Sequence, residues 1–354
     1  MLPLQMKSSS LMSRLLAVLC ALVLLVPAWA GADERESGFR PFDQIVVFGT
    51  SLSDPGNAFA LTRISVSAPT YGMSTTDGFP PSALTLIPND PYAIGGNRFS
   101  NGPTWVEQLA RPLGLAWSVK PAYVQSIDGS SNYAVGGARA RDGVAGEVSL
   151  SQQVNNFLRD ARGQASPRAL YVIEMGGNDV RDALGGDPTV VIPQALAAVA
   201  QAIGTLHYYG ARKFLIWNVP DLGLAPAIVR IDQFYQATYG TPPHYVTGNA
   251  TAAAAGYNAA LTQILDGLSA ALPGIDIARF DAFTTLQTIA GHPLRYALRN
   301  ATDACIAPFT PLPSRCATPD RYFFWDGIHP TRAGHAIIAI ENGKALIGNL
   351  LVAH

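Results

Sequence analysis

One recurring pattern constrains this chain more than any other feature. Short apolar, β-branched runs ending in glycine or a polar residue are separated by longer stretches of helical character. Such runs fill residues 44–49, 170–175 and 213–218, with a weaker fourth at 275–280. Apolarity that is continuous rather than alternating suits a strand buried on both faces, as in a parallel sheet. Helices are expected at residues 104–113, 150–161, 192–209 and 251–272. This alternation of strand and helix predicts an α/β fold with a parallel sheet covered on both faces. Residues 60–98, rich in glycine and proline, and residues 225–247 break the rhythm and are expected to be long surface excursions. No repeat or charged linker marks a second domain, so residues 31–354 are expected to form one.

The N-terminus reads as a separate object. Lys7 and Arg14 precede an apolar run over residues 15–27, and Ala28-Trp29-Ala30 offers small residues for cleavage, so residues 1–30 are expected to be a signal peptide. A membrane anchor fits less well, because the run is shorter than the ~20 apolar residues of a spanning helix and Pro27 interrupts it. Cys20 follows Leu19 rather than a small residue, so lipid attachment is not expected. No later stretch is read as a membrane span, and the product is expected to be secreted or periplasmic. With 24 Lys+Arg against 25 Asp+Glu, the chain has no electrostatic footprint for nucleic acid. Its 48% hydrophobic content excludes a disordered chain.

Cleavage would remove Cys20 and leave Cys305 and Cys316 in an oxidising compartment. An even pair there invites a disulfide. Two unrelated buried thiols remain open. Zinc would need about four ligands, and no histidine lies between the two cysteines.

In parallel α/β sheets ligands bind beyond the carboxyl ends of the strands. Four segments stand out there: Gly49-Thr50-Ser51-Leu52-Ser53-Asp54, Asn132-Tyr133-Ala134-Val135-Gly136-Gly137-Ala138, Gly176-Gly177-Asn178-Asp179 and Asp326-Gly327-Ile328-His329-Pro330. A serine alcohol needs an imidazole to take its proton, and the imidazole needs a carboxylate on its other nitrogen. Asp326 and His329 can supply both from one loop, although an Asp and His at this spacing also suits a helix start. Ser51 sits where a strand hands over to a loop. The Gly-x-Ser-x-Gly elbow is absent, because Ser53 occupies the second glycine's place. A glycine N–H at Gly137 and the amide of Asn178 are donors of the kind a developing oxyanion requires. Each residue has an ordinary structural reading too, as a turn, a cap or a close-packed glycine. His335 is expected in the following helix as a packing or capping residue.

Taken together and in order, these blocks resemble the GDSL (SGNH) hydrolase family of the secreted bacterial type. The similarity continues through residues 98–105, Gln152-Gln153-Val154 and Asn218-Val219-Pro220. The resemblance implies a three-layer α/β/α sandwich and a serine esterase or lipase. Ser51 would be the nucleophile, His329 the base and Asp326 its partner, with Ser51, Gly137 and Asn178 as oxyanion donors. It implies no metal or organic cofactor, an acyl ester as substrate, and transient contact with a lipid interface. One position departs: the family's aspartate before the serine is Thr50 here. Its hydroxyl can still make a local hydrogen bond, so adjusted loop geometry is expected rather than lost activity. Tyr71, Met73, Phe79, Leu84 and Tyr92 could line an acyl pocket or belong to the core. Two alternatives stay open: a glycerophospholipid acyltransferase or phospholipase A using the same acyl-enzyme, and a catalytically silent binding protein.

Overall fold

The two faces of one small sheet organise the molecule. The computed structural model describes residues 42–62, 96–124, 129–144, 148–306 and 315–352. Four parallel strands, β1 (Ile45–Gly49), β2 (Leu170–Glu174), β3 (Lys213–Trp217) and β4 (Asp276–Phe280), lie in that spatial order. Successive side chains point to opposite faces. Val46 and Phe48 therefore join one core and Ile45 and Val47 the other, all of them fully buried.

A short helix, α1 (Asn57–Thr62), follows β1, and further helices cover both faces. On the first lie α3 (Leu150–Asp160), α5 (Pro188–Tyr208) and α7 (Tyr245–Ala271), and on the second α2 (Trp105–Ala110), α8 (Ala282–Gly291) and α9 (Arg332–Val352). The result is the expected three-layer α/β/α arrangement. Local chemistry starts several of these helices. Ser149 and Gln152 form a capping box before α3. Asp187 caps α5 with Pro188 in its first turn, and Asp281 caps α8. The region from Pro41 to His354 forms a single compact unit.

A fifth segment extends the sheet beyond β1. Val47 pairs in parallel with Asn132, and the N–H groups of Tyr133 and Val135 donate to the carbonyls of Val47 (2.8 Å) and Gly49 (3.1 Å). The chain thus leaves β1 for one side and returns as β2 on the other. Such a reversal, at the carboxyl end of β1, is the usual ligand position in open α/β sheets.

Several expectations need correction. Residues 225–247 are not a long excursion: α6 (Pro226–Tyr239) fills most of them, packing Ile228 and Ile231 against Val246 and Ala250. Pro226 occupies the first turn, where a missing N–H costs nothing, and so starts this helix instead of breaking it. The helix expected from residue 251 begins earlier, at Tyr245. The short helix α4 (Gly177–Gly185) and a small parallel pair, β5 (Asn300–Ala304) and β6 (Tyr322–Phe324), had no clear periodic signal. Helix α5 is also long and apolar enough to cross a membrane by length and composition, against the reading that no later stretch is. Here it is a core helix. Ala195, Leu196, Val199, Ala202, Ile203 and Leu206 form a buried stripe at three- and four-residue spacing, while Gln194, Ala197 and Gln201 face outward. Most of the 60–98 segment, with all five residues considered for an acyl pocket, lies outside the described residues, as do residues 1–30.

Candidate active site

Three side chains from two distant parts of the chain form one line of hydrogen bonds at the carboxyl end of β1. His329 Nε2 lies 2.8 Å from Ser51 Oγ, and His329 Nδ1 lies 2.8 Å from Asp326 Oδ2. Asp326 is wholly buried and accepts at Nδ1, which fixes the imidazole proton there and leaves Nε2 free to accept from the serine hydroxyl. The other oxygen of Asp326 accepts the backbone N–H groups of Ile328 (2.8 Å) and His329 (2.7 Å). Burial alone would raise the Asp326 carboxyl, but the facing His329 and these backbone donors hold it below its ordinary value.

The loop carrying the pair is fastened from several sides. Trp325 N–H donates to the His329 carbonyl at 2.7 Å and Ala227 N–H to that of Gly327 at 2.9 Å. The 98–105 block supplies the rest. The Phe99 ring packs 5.2 Å from the His329 ring, Ser100 Oγ donates to the Pro330 carbonyl, and Asn101 Oδ1 accepts Arg332 N–H. His335 does lie in α9, fully buried, with Nδ1 accepting Trp105 N–H at 3.2 Å. Burial, reinforced by nearby His329, pushes its pKa down to about 3, so it stays neutral as a packing group.

Gly137 and Asn178 follow the two segments that flank β1. The Ser51 and Gly137 N–H groups donate to no acceptor among the described residues, and Asn178 Nδ2 spends one hydrogen on the Ala138 carbonyl at 2.8 Å. Its amide has a second hydrogen to offer. Gly136 must be glycine for a packing reason, because a Cβ there would stand 2.1 Å from the Phe99 ring. Two arginines brace these loops. Arg141 pairs with Asp179 and Asp182, while Arg139 pairs with Asp182 and donates to the Gly137 carbonyl. A pocket of about 710 Å³ opens elsewhere, between α6 and α7, and none of these residues lines it.

Sequence reasoning missed the groups that hold the serine loop from below. Gln153 spans Gly49 in both directions at 2.9 Å, and buried Asp54 accepts the N–H of Gly136 at 2.8 Å together with those of Gly56, Asn57 and Ala58. Glu174, the last residue of β2, accepts from the Thr50 N–H (3.0 Å), the Thr50 hydroxyl (2.9 Å) and the Ser53 hydroxyl (3.0 Å). Thr50 thus makes the local hydrogen bond expected of it. A polar residue closing an apolar strand was the only available signal, and it does not distinguish a loop anchor from a strand end.

Burial pushes the Glu174 carboxyl up to about 7, against the pull of those donors. The folded protein therefore holds this proton more tightly than the unfolded chain does. Stability contributed here falls as pH rises from about 4.5, the ordinary value, through about 7. Glu174→Gln cannot titrate. Thermal melts of both proteins at pH 5 and pH 8 should show the stability gap moving toward the glutamine form by up to ~3 kcal/mol at the higher pH. A gap that does not change with pH would contradict the raised value.

Cys305 and Cys316 are joined in a disulfide, which removes the free-thiol reading and the metal reading. The bridge braces the acid-base loop from outside: Cys305 N–H donates to the Phe324 carbonyl and Ile306 N–H to that of Trp325, next to Asp326. Closing a loop of this length stabilises the fold by up to ~3 kcal/mol. A loop shifted by about 1 Å can lower rate by roughly 10²-fold. Cys305→Ser with Cys316→Ser is thus expected to lose turnover at temperatures where circular dichroism still reports a folded protein. Unchanged turnover would leave the bridge a stability device alone.

The GDSL-like lipase/acylhydrolase family matches residues 45–341, nearly the whole described fold. The chain belongs to this family. Relatives include GDSL esterase/lipase At5g55050 of Arabidopsis thaliana, 28% identical over 355 residues, with 88% of each chain covered. The inactive GDSL esterase/lipase-like protein 25 of the same plant is 28% identical over 306 residues, covering 81% of this chain and 68% of that one. The thermolabile hemolysin of Vibrio parahaemolyticus is 25% identical over 317 residues, covering 84% of this chain and 62% of the hemolysin. Membership of this GDSL family supports a hydrolase of the esterase/lipase kind.

Proposed function

We propose that this protein is an exported serine hydrolase that cleaves carboxylic esters through an acyl-enzyme. The observation that carries this reading is the unbroken hydrogen-bond line from Ser51 through His329 to buried Asp326. Ser51 Oγ attacks the ester carbonyl carbon as His329 Nε2 takes the hydroxyl proton. The negative charge on the former carbonyl oxygen is met by the Ser51 and Gly137 N–H groups and the Asn178 amide. Collapse expels the alcohol, which takes the proton from His329. Water, deprotonated by the same imidazole, then releases the acid and restores Ser51. No step needs a metal or organic cofactor.

One relative is named inactive, but this chain retains nucleophile, base and acid in mutual contact, which favours catalysis over a silent scaffold. The Lys7, Arg14 and Ala28-Trp29-Ala30 pattern supports export of a bacterial-type protein, and a disulfide suits an oxidising compartment. The hemolysin relative makes lipid acyl esters a substrate class worth testing, with transient contact at the lipid surface. The test is turnover on acyl esters from short to long chain, run with and without an acceptor alcohol. Free acid as the main product supports hydrolysis. Acyl transfer to the alcohol would favour the acyltransferase reading, and no turnover on any ester would contradict both.

A further inference from the structure

Resting on the reading of Ser51 as nucleophile, we propose that Glu174 is a positioning residue that sets the nucleophile loop from the neighbouring strand. Every hydrogen bond its side chain accepts among the described residues comes from Thr50 or Ser53. No basic side chain pairs with it among those residues, and its burial raises its pKa to about 7, so the stability it contributes is lost as pH rises through neutral. A buried carboxyl whose side-chain hydrogen bonds all go to one loop serves that loop.

The geometry shows how. Glu174 holds both the N–H and the hydroxyl of Thr50, fixing that residue's backbone and rotamer together. The Thr50 carbonyl accepts Ser53 N–H at 3.1 Å. In a trans peptide the C=O and N–H point in opposite directions. The Ser51 N–H, which shares that peptide, is therefore turned away from the loop interior and left unpaired, as an oxyanion donor must be. Ser53 completes the clamp, donating to Glu174 and accepting Trp105 Nε1–H at 2.9 Å. At Gly49 a Cβ would stand 3.0 Å from Glu174 Oε2 and 3.1 Å from Ser53 Cβ, so a larger residue there would press on the clamp.

The experiment compares Glu174→Gln, Thr50→Val and the double variant. A glutamine offers one acceptor oxygen and turns an N–H₂ toward the threonine; a valine removes the hydroxyl while keeping the shape. Each single variant is expected to lose roughly 10-fold in kcat with KM within about 2-fold of wild type, a loss consistent with sub-ångström misplacement. The second-order rate at which a serine-directed phosphonate modifies Ser51 should fall in the same proportion. The double variant should be little worse than the poorer single one, because both remove one contact. Glu174→Gln should be slower at pH 8 while no less stable, a combination that a merely structural role would not give. If Glu174→Gln does not fold, Thr50→Val tests the same contact. Wild-type kcat and phosphonate rates in the folded variants, or fully additive losses, would overturn the proposal. In that case wild-type Ser51 still reacts with the phosphonate; failure of the wild type itself to react would overturn the catalytic reading too.

Discussion

Ser51→Ala and His329→Ala are each expected to lower turnover on a good ester by roughly 10⁴-fold or more, and the double variant should be little worse than either alone. The non-additivity is the informative part. Without the hydroxyl there is no nucleophile for the imidazole to activate, and without the imidazole the alcohol keeps its proton. The 2.8 Å contact between His329 Nε2 and Ser51 Oγ makes the two act as one unit. Ser51→Ala removes only a hydroxyl, so binding should survive it, whereas His329→Ala also empties a buried place beside Phe99 and leaves Asp326 without its imidazole, so its folding is verified first. Steady-state kinetics on purified, folded variants checks this, and near wild-type turnover by Ser51→Ala would contradict it.

Asn178→Ala is expected to cost on the order of 10²-fold to 10³-fold, mostly in kcat rather than KM. In the proposed mechanism the amide is one of three donors to the oxyanion, and its value would appear only when charge develops there. Asn178 also holds the Ala138 carbonyl, one residue from Gly137, so its loss could loosen that loop as well. Arg139 and Arg141 brace the same loops through Asp179 and Asp182 and limit that second effect. A loss confined to KM would indicate that Asn178 binds substrate without stabilising the transition state.

Much of this was legible in the sequence because it rests on local pattern. The runs at 44–49, 170–175 and 213–218 are apolar throughout since both faces of their strands are buried, and they emerge as β1 to β3 within a residue or two. The same pattern led to Ser51 and Asn178, because the ends of buried strands are where such a sheet exposes functional groups, whereas Gly137 follows no expected strand and stood out through its double glycine and the family resemblance. Helix α6 was hidden by Pro226, which looks like a breaker unless its first-turn position is known. The Asp54, Gln153 and Glu174 supports were hidden for another reason. Each makes a bond to a residue that is its neighbour only in the folded chain: Glu174 to Thr50, 124 positions away, Gln153 to Gly49, and Asp54, beyond its local cap of Gly56, Asn57 and Ala58, to Gly136. No spacing rule reports such a contact. The paired arginines and aspartates around Gly137 and Asn178 were missed on the same ground.

As nucleophile, Ser51 becomes covalently modified during the reaction, and locating that modification tests its role. Wild-type protein treated with a serine-directed phosphonate, digested and mapped by mass spectrometry, should carry one adduct per chain on the Ser51 peptide, accumulating in step with the loss of activity. Complete inactivation with Ser51 unmodified, or an adduct on another residue that tracks the loss, would contradict the account.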